Sequence, residues 1–216
     1  MGPVETESFL GWPPFPVLRR ALALSAAFAV LFALIYGGAD WLTSLHHLRF
    51  RVHLPGELSL PFWAPLSGVY LSMNAILALG PWVLRREGEF DRFFWTLTAE
   101  LLVAGVFFLL FPVALRFPPP VVTGFWAPFF RTADALNLDN NLFPSLHVAF
   151  ACTTAAAFGA RRGPTGRALL NAWAAAVAVS TVLTHQHHIL DALAGWALAA
   201  AAHRRINPSP AGPAAP

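Results

Sequence analysis

Six apolar stretches, separated by short polar connections, constrain this chain more than any other feature. They cover residues 17–36, 62–84, 93–115, 144–160, 168–184 and 187–202. A helix of ~20 apolar residues crosses the ~30 Å hydrocarbon layer of a membrane. In lipid every backbone N–H and C=O needs an internal partner, and a helix supplies one within itself. Composition agrees: 56% of residues are hydrophobic and 12% are charged, against roughly 25% charged in soluble domains. The expected fold is all-α: a polytopic membrane protein of about six transmembrane helices in a bundle. It is read as one domain over residues 1–206, with a disordered Pro/Ala-rich tail at 207–216. The last three stretches are the shortest and are rich in Ala, as closely packed membrane helices tend to be. Arg19 and Arg20 ahead of the first apolar run also resemble the start of a signal peptide. The run is long for a signal, so a retained helix is expected.

Charge sets the expected orientation. All 14 basic residues are Arg. In a six-helix layout one side holds Arg19, Arg20, Arg85, Arg86, Arg92, Arg161, Arg162, Arg167, Arg204 and Arg205. The other holds Arg49, Arg51, Arg116 and Arg131. Positive residues remain in the cytoplasm, so both termini are expected inside. The Arg-poor side then faces the periplasm or exterior. The basic pI does not indicate nucleic acid, because no basic run exceeds two residues. The Arg-only, Ala-rich composition suggests a bacterial inner or plasma membrane. Cys152, the single cysteine, reads as inert packing.

Two clusters of polar residues fall on the Arg-poor side. Asn141-Leu-Phe-Pro-Ser-Leu-His147 leads into the fourth stretch. Pro144 suits the first turn of a helix, with Asn140 or Asn141 as a nearby cap. The unpaired N–H groups of a helix start attract phosphate, and Ser145 and His147 add a hydroxyl and an ionisable ring there. The second cluster is Ser180-Thr181 with His187 and Asp191. His187 and Asp191 are four apart, so on a helix they share a face. A carboxylate so placed orients an imidazole as the partner of a nucleophile does. Ionisable groups at membrane depth are costly, which marks them as functional candidates. The topology brings both clusters, with Arg116 and Arg131, to one side.

These residues resemble a known family. Pro144-Ser145-Leu146-His147 is similar to the P-S-G-H motif of the type-2 phosphatidic acid phosphatase superfamily. Ser180-Thr181-x5-His187-x3-Asp191 is similar to its S-R-x5-H-x3-D motif, with Thr for Arg. The Leu form looks like the branch containing inositol phosphorylceramide synthases and bacterial relatives. The resemblance implies a membrane enzyme that cleaves or transfers lipid phosphate esters without a metal or cofactor. It implies His187 as nucleophile through a phosphohistidine, Asp191 as its orienter, His147 as proton donor and acceptor, and Ser145 on a phosphoryl oxygen. Arg116 and Arg131 are carried over as substrate-binding cations. The family's K-x6-R-P motif has no Lys here; the nearest run is Arg116-Phe-Pro-Pro-Pro120.

Plainer readings stand beside these. His187–Asp191 can be a structural contact between helices, and His147 a polar helix end. His185 and His188 are assigned structural roles, with headgroup contact left open to one of them. His46, His47 and His53 near Asp40 match no standard zinc spacing. Trp41, Trp63, Trp82, Trp95 and Trp126 read as an interfacial belt. Residues 54–65 read as a short element over the site. The expected partners are a lipid phosphate substrate and membrane lipids. A non-catalytic lipid-binding or lipid-translocating protein on the same scaffold is the alternative, and a metal-dependent membrane hydrolase is a remote third.

Overall fold

The structure is a computed structural model and describes residues 8–206. Its elements are helical: α1 (Phe15–Phe32), a π-helical turn (Ala33–Gly37), α2 (Gly38–Ser44), a 3-10 turn (Glu57–Ser59), α3 (Leu66–Ala78), α4 (Gly80–Val83), α5 (Glu89–Leu110), α6 (Ala127–Leu136), α7 (Leu146–Gly159), α8 (Pro164–Leu183) and α9 (Ile189–Ile206). Among the described residues the only β pairing is an isolated bridge, Phe50 to Val113. The all-helical expectation holds.

Three helical stretches are long and apolar enough to cross a membrane: Phe15–Ser44, Glu89–Leu110 and Pro164–Leu183. Leu66–Ala78 and Leu146–Gly159 are apolar but shorter. The remaining boundaries differ from the sequence reading for local reasons. The second stretch breaks into α3 and α4 around Gly80-Pro81, since Pro lacks an N–H and crowds the preceding turn. The third ends at Leu110, just before Pro112, which disfavours helix in the residue ahead of it. The first runs on to Ser44 through the π turn, 30 residues in all. At 1.5 Å per residue it is ~45 Å long, longer than the ~30 Å hydrocarbon layer is thick.

α7 is the centre of the molecule and packs on α3, α5, α8 and α9. It is apolar on every side, the pattern of a helix enclosed by others. Phe150 on α7 meets Phe28 and Phe32 of α1, and Phe158 meets Phe93 of α5. A buried Glu100 on α5 accepts a hydrogen bond from Thr153 of α7. At one end Arg20 pairs with Asp91 and Arg161 with Glu89. At the opposite end, residues 45–65 and 111–126 are stitched together. Phe50 donates its N–H to Pro112 O, Ala114 donates to Phe50 O, and the Phe50 and Phe111 rings stack at 4.1 Å. This is the end where α7 begins and α8 gives way to α9.

Candidate functional site

The start of α7 is built from its own sequence. Pro144 lies outside the helix, behind a cis Phe143–Pro144 bond, and Ser145 is the cap. Its Oγ accepts the Val148 N–H at 3.4 Å, which satisfies one of the free donors of the first turn. The two asparagines expected to cap are occupied elsewhere. Asn141 donates to Tyr36 O at 2.6 Å. Asn140 donates through its backbone and side chain to Asp40 Oδ1 and accepts from Arg49. Asp40 therefore anchors the loop ahead of α7 to α2, and is not grouped with the neighbouring histidines.

The turn from α8 to α9 carries the second cluster. The Thr181 carbonyl accepts both the Gln186 and His187 N–H groups at 3.0 Å, closing α8 tightly, and His185 takes a left-handed φ of 55°. His187 precedes α9 and Asp191 lies in its first turn, so the two are not on one face of a shared helix as the spacing suggested. Asp191 Oδ2 lies 3.7 Å from His187 Nδ1. The same oxygen accepts the His188 N–H at 2.8 Å, capping α9. The nearer partner of His187 Nδ1 is the Leu142 carbonyl at 3.1 Å. A carbonyl only accepts, so Nδ1 bears the proton and Nε2 carries the lone pair. Leu142 belongs to the loop ahead of α7, so this bond joins the two clusters.

The clusters also meet through their backbones. Ser145 donates its N–H to Asp191 O at 3.0 Å. Gly195, one turn further along α9, lies against Ser145. A Cβ at 195 would come within 2.3 Å of Ser145 O. The His147 and His187 rings are 6.5 Å apart, centroid to centroid. Ser145, His187 and Asp191 are buried, and His147 is half-buried. His147 is held from below by Tyr70 of α3. The phenol oxygen is 3.1 Å from Nδ1, and the rings stack at 3.9 Å.

Around this core lies a second set of contacts that the sequence did not announce. His188 is fully buried and touches no membrane surface. Its Nε2 accepts the Arg116 backbone N–H at 3.2 Å, so its Nδ1 carries the proton and donates to Glu57 Oε1 at 3.0 Å. Glu57 also accepts the N–H of Ile189 at 2.8 Å and of Leu54 at 2.7 Å. Burial works against the Glu57 charge, but these N–H donors and the His188 ring outweigh it and hold its pKa below the ordinary carboxylate value. Residues 54–65 thus pack on the α8–α9 turn, as the expected short element over the site. Trp63 N–H reaches Leu183 O, and Leu60 O meets the His185 ring.

Arg116 and Arg131 are exposed, and neither side chain makes a hydrogen bond or ion pair among the described residues. Their positions are set by what surrounds them. Arg116 follows from its backbone bond to His188, the residue after His187. Arg131 sits on α6, an amphipathic helix absent from the sequence reading. Asp134 and Asn137 at the end of α6 both bond Gln186, the residue before His187. Thr181 is buried with its hydroxyl donating to Ala178 O, so no cation occupies that position.

The arrangement supplies a ring nitrogen with a free lone pair, a second imidazole near it, a capped helix start, and two cations on flanking segments, Arg116 in a loop and Arg131 on α6. That combination suits attack on an anionic phosphorus centre. A family model described as the PAP2 superfamily matches residues 59–204, more than half of the chain. No curated protein and no solved structure matches.

Proposed function

Since this chain belongs to the PAP2 superfamily, we propose that it is a membrane-embedded, metal-independent lipid phosphate phosphatase or phosphotransferase working through a phosphohistidine on His187. The observation that carries this reading is the state of the His187 ring. Leu142 O and the Asp191 carboxylate both lie at Nδ1, at 3.1 and 3.7 Å, which leaves Nε2 to attack.

In the first step Nε2 forms the bond to phosphorus. The P–O ester bond breaks, and protonated His147 gives its Nε2 proton to the departing oxygen. Positive charge on the His187 ring is met by Asp191. Ser145, Arg116 and Arg131 meet the phosphoryl oxygens. In the second step His147 takes a proton from the acceptor, whose oxygen displaces His187. Water as acceptor gives a phosphatase, and a lipid hydroxyl gives a headgroup transferase. Such chemistry depends on position and charge more than on covalent participation by further groups. In this reading α3 with α4, α7 and α9 complete six crossings beside the three long spans. The site then faces the periplasm or exterior of a bacterial inner or plasma membrane, with both termini inside.

The Thr181 position favours a second reading, a lipid-binding or lipid-translocating protein that has given up a phosphate-binding cation. One assay separates the two. Purified protein in mild detergent with EDTA is offered phosphatidate, a prenyl pyrophosphate, and phosphatidylinositol with a lipid alcohol. Phosphate release and new phospholipid are measured together, for wild type and His187→Ala. Turnover in the wild type that His187→Ala abolishes supports the proposal. A mutant as active as wild type removes His187 as nucleophile. Lipid binding without turnover supports the second reading.

A further inference from the structure

We propose that Tyr70 is a positioning residue for His147, holding its proton on Nδ1 so that only Nε2 exchanges protons with the substrate. This rests on the reading of His147 as the acid–base group. Four observations carry it. Tyr70 is completely buried, on the third helix and 77 residues from His147 in sequence. Its hydroxyl is 3.1 Å from Nδ1 and makes no other hydrogen bond among the described residues. The two rings stack at 3.9 Å with 24° between their planes, which resists rotation of the imidazole. The remaining nitrogen, Nε2, is buried without a partner, the condition of an atom kept for a group that arrives.

The proton balance follows. In the imidazolium, Nδ1–H donates to the phenol oxygen and Nε2–H points away from Tyr70. Nε2–H passes to the leaving oxygen as the P–O bond breaks. The neutral ring that remains has its proton on Nδ1 and its lone pair on Nε2. It takes a proton from water or a lipid hydroxyl in the second step, which restores the imidazolium. Tyr70 gains and loses no proton throughout. If the phenol instead donated to Nδ1, the neutral ring would hold its proton on Nε2 and have no lone pair there to act as base.

The choice of a phenol has a physical reason. A carboxylate would also orient the ring, as Asp191 stands beside His187. It would add a second fixed negative charge next to an anionic substrate in a low-dielectric site, where like charges repel strongly. A phenol accepts a hydrogen bond without that charge.

The test uses the full chain in detergent. Nitrogen-15 spectra of His-labelled protein report which ring nitrogen is protonated. For wild type the expected signature of neutral His147 is Nδ1–H. An Nε2–H signature in the wild type overturns the proposal and requires no variant. In Tyr70→Phe, which keeps the stacked ring, the signature is expected to become a mixture of tautomers. With it kcat falls about 10- to 100-fold, a fraction of what acid–base catalysis supplies, while KM stays within about twofold. The defect should shrink for a p-nitrophenyl ester of the same phosphate class as the lipid substrate turned over, whose leaving group departs without a proton. A loss of kcat equal for both leaving groups, or with the His147 signature unchanged, overturns the proposal in favour of plain packing. Wild-type kcat in Tyr70→Phe also overturns it. Full turnover in His147→Ala would instead bring down the acid–base reading on which it rests.

Discussion

At the residue scale, the Glu57–His188 pair shows how a charge survives in an enclosed place. Both side chains are fully buried, and the carboxylate is met by a ring N–H and two backbone N–H groups. Buried charges persist only with such partners. The lowered pKa of Glu57 has a definite consequence for stability. A carboxylate whose folded pKa is depressed contributes stability above its unfolded value and loses it as pH falls through the folded value. Thermal stability of the wild type in detergent is therefore expected to fall once the pH drops below the ordinary carboxylate value of 4.5. Glu57→Gln should lower stability at neutral pH by about 1–3 kcal/mol, and its melting temperature should respond less to acid over the same range. Equal acid responses in the two proteins would contradict this. Asp191→Asn is argued in the same way. Leu142 O still holds Nδ1–H of His187 in that variant. We expect kcat to fall about 10²-fold, well short of the ~10⁴ lost where a carboxylate is the sole orienter. Single-turnover kinetics on the lipid phosphate would measure it.

At the element scale, the site depends on how closely α9 approaches the cap of α7. Gly195 makes that approach possible, because a Cβ would run into the Ser145 carbonyl rather than into a flexible side-chain end. Alanine is the better helix former by about 1 kcal/mol, so local propensity alone predicts that Gly195→Ala stabilises. The packing predicts the reverse: a lower melting temperature and at least a tenfold loss of turnover, since α9 carries Asp191 and follows His187. Thermal denaturation and turnover of the one variant decide between them. Helix existence was legible in the apolar runs, because the hydrocarbon length is a local requirement. Helix ends were less so. Pro144 is outside α7 and Ser145 caps it, since the loop ahead is committed to Asp40 and Tyr36. α6 was missed because it is short and amphipathic, and the runs used to find helices are long and uniformly apolar.

At the scale of the whole molecule, the proposed orientation rests on the Arg asymmetry. The Arg-paired end, with Arg20 to Asp91 and Arg161 to Glu89, is opposite the His147–His187 end. The orientation is checked with single cysteines in a Cys152→Ser background. Asp139→Cys precedes α7 in an exposed loop, and Gly163→Cys lies in the exposed α7–α8 connection. A membrane-impermeant maleimide on intact cells is expected to label position 139 and to reach 163 only after permeabilisation. The opposite pattern would invert the topology and put the site in the cytoplasm.

Several properties of this protein were already decided in the linear chain. The helical class and the apolar spans rest on hydrophobic run length, and the proposal of Ser145, His147, His187 and Asp191 as one site rests on short motif spacing. Both are carried by residues close in sequence. Other properties were decided only when distant segments met. Tyr70 reaches His147 across 77 positions, and Glu57 reaches His188 across 131. The Leu142 carbonyl reaches His187 across 45, and no side-chain pattern marks a backbone carbonyl. Single residues among apolar or polar neighbours have no periodicity to betray them. Their chemistry comes from the partner the fold supplies, so an ordinary buried tyrosine and a loop glutamate acquire roles that their own surroundings in sequence do not show.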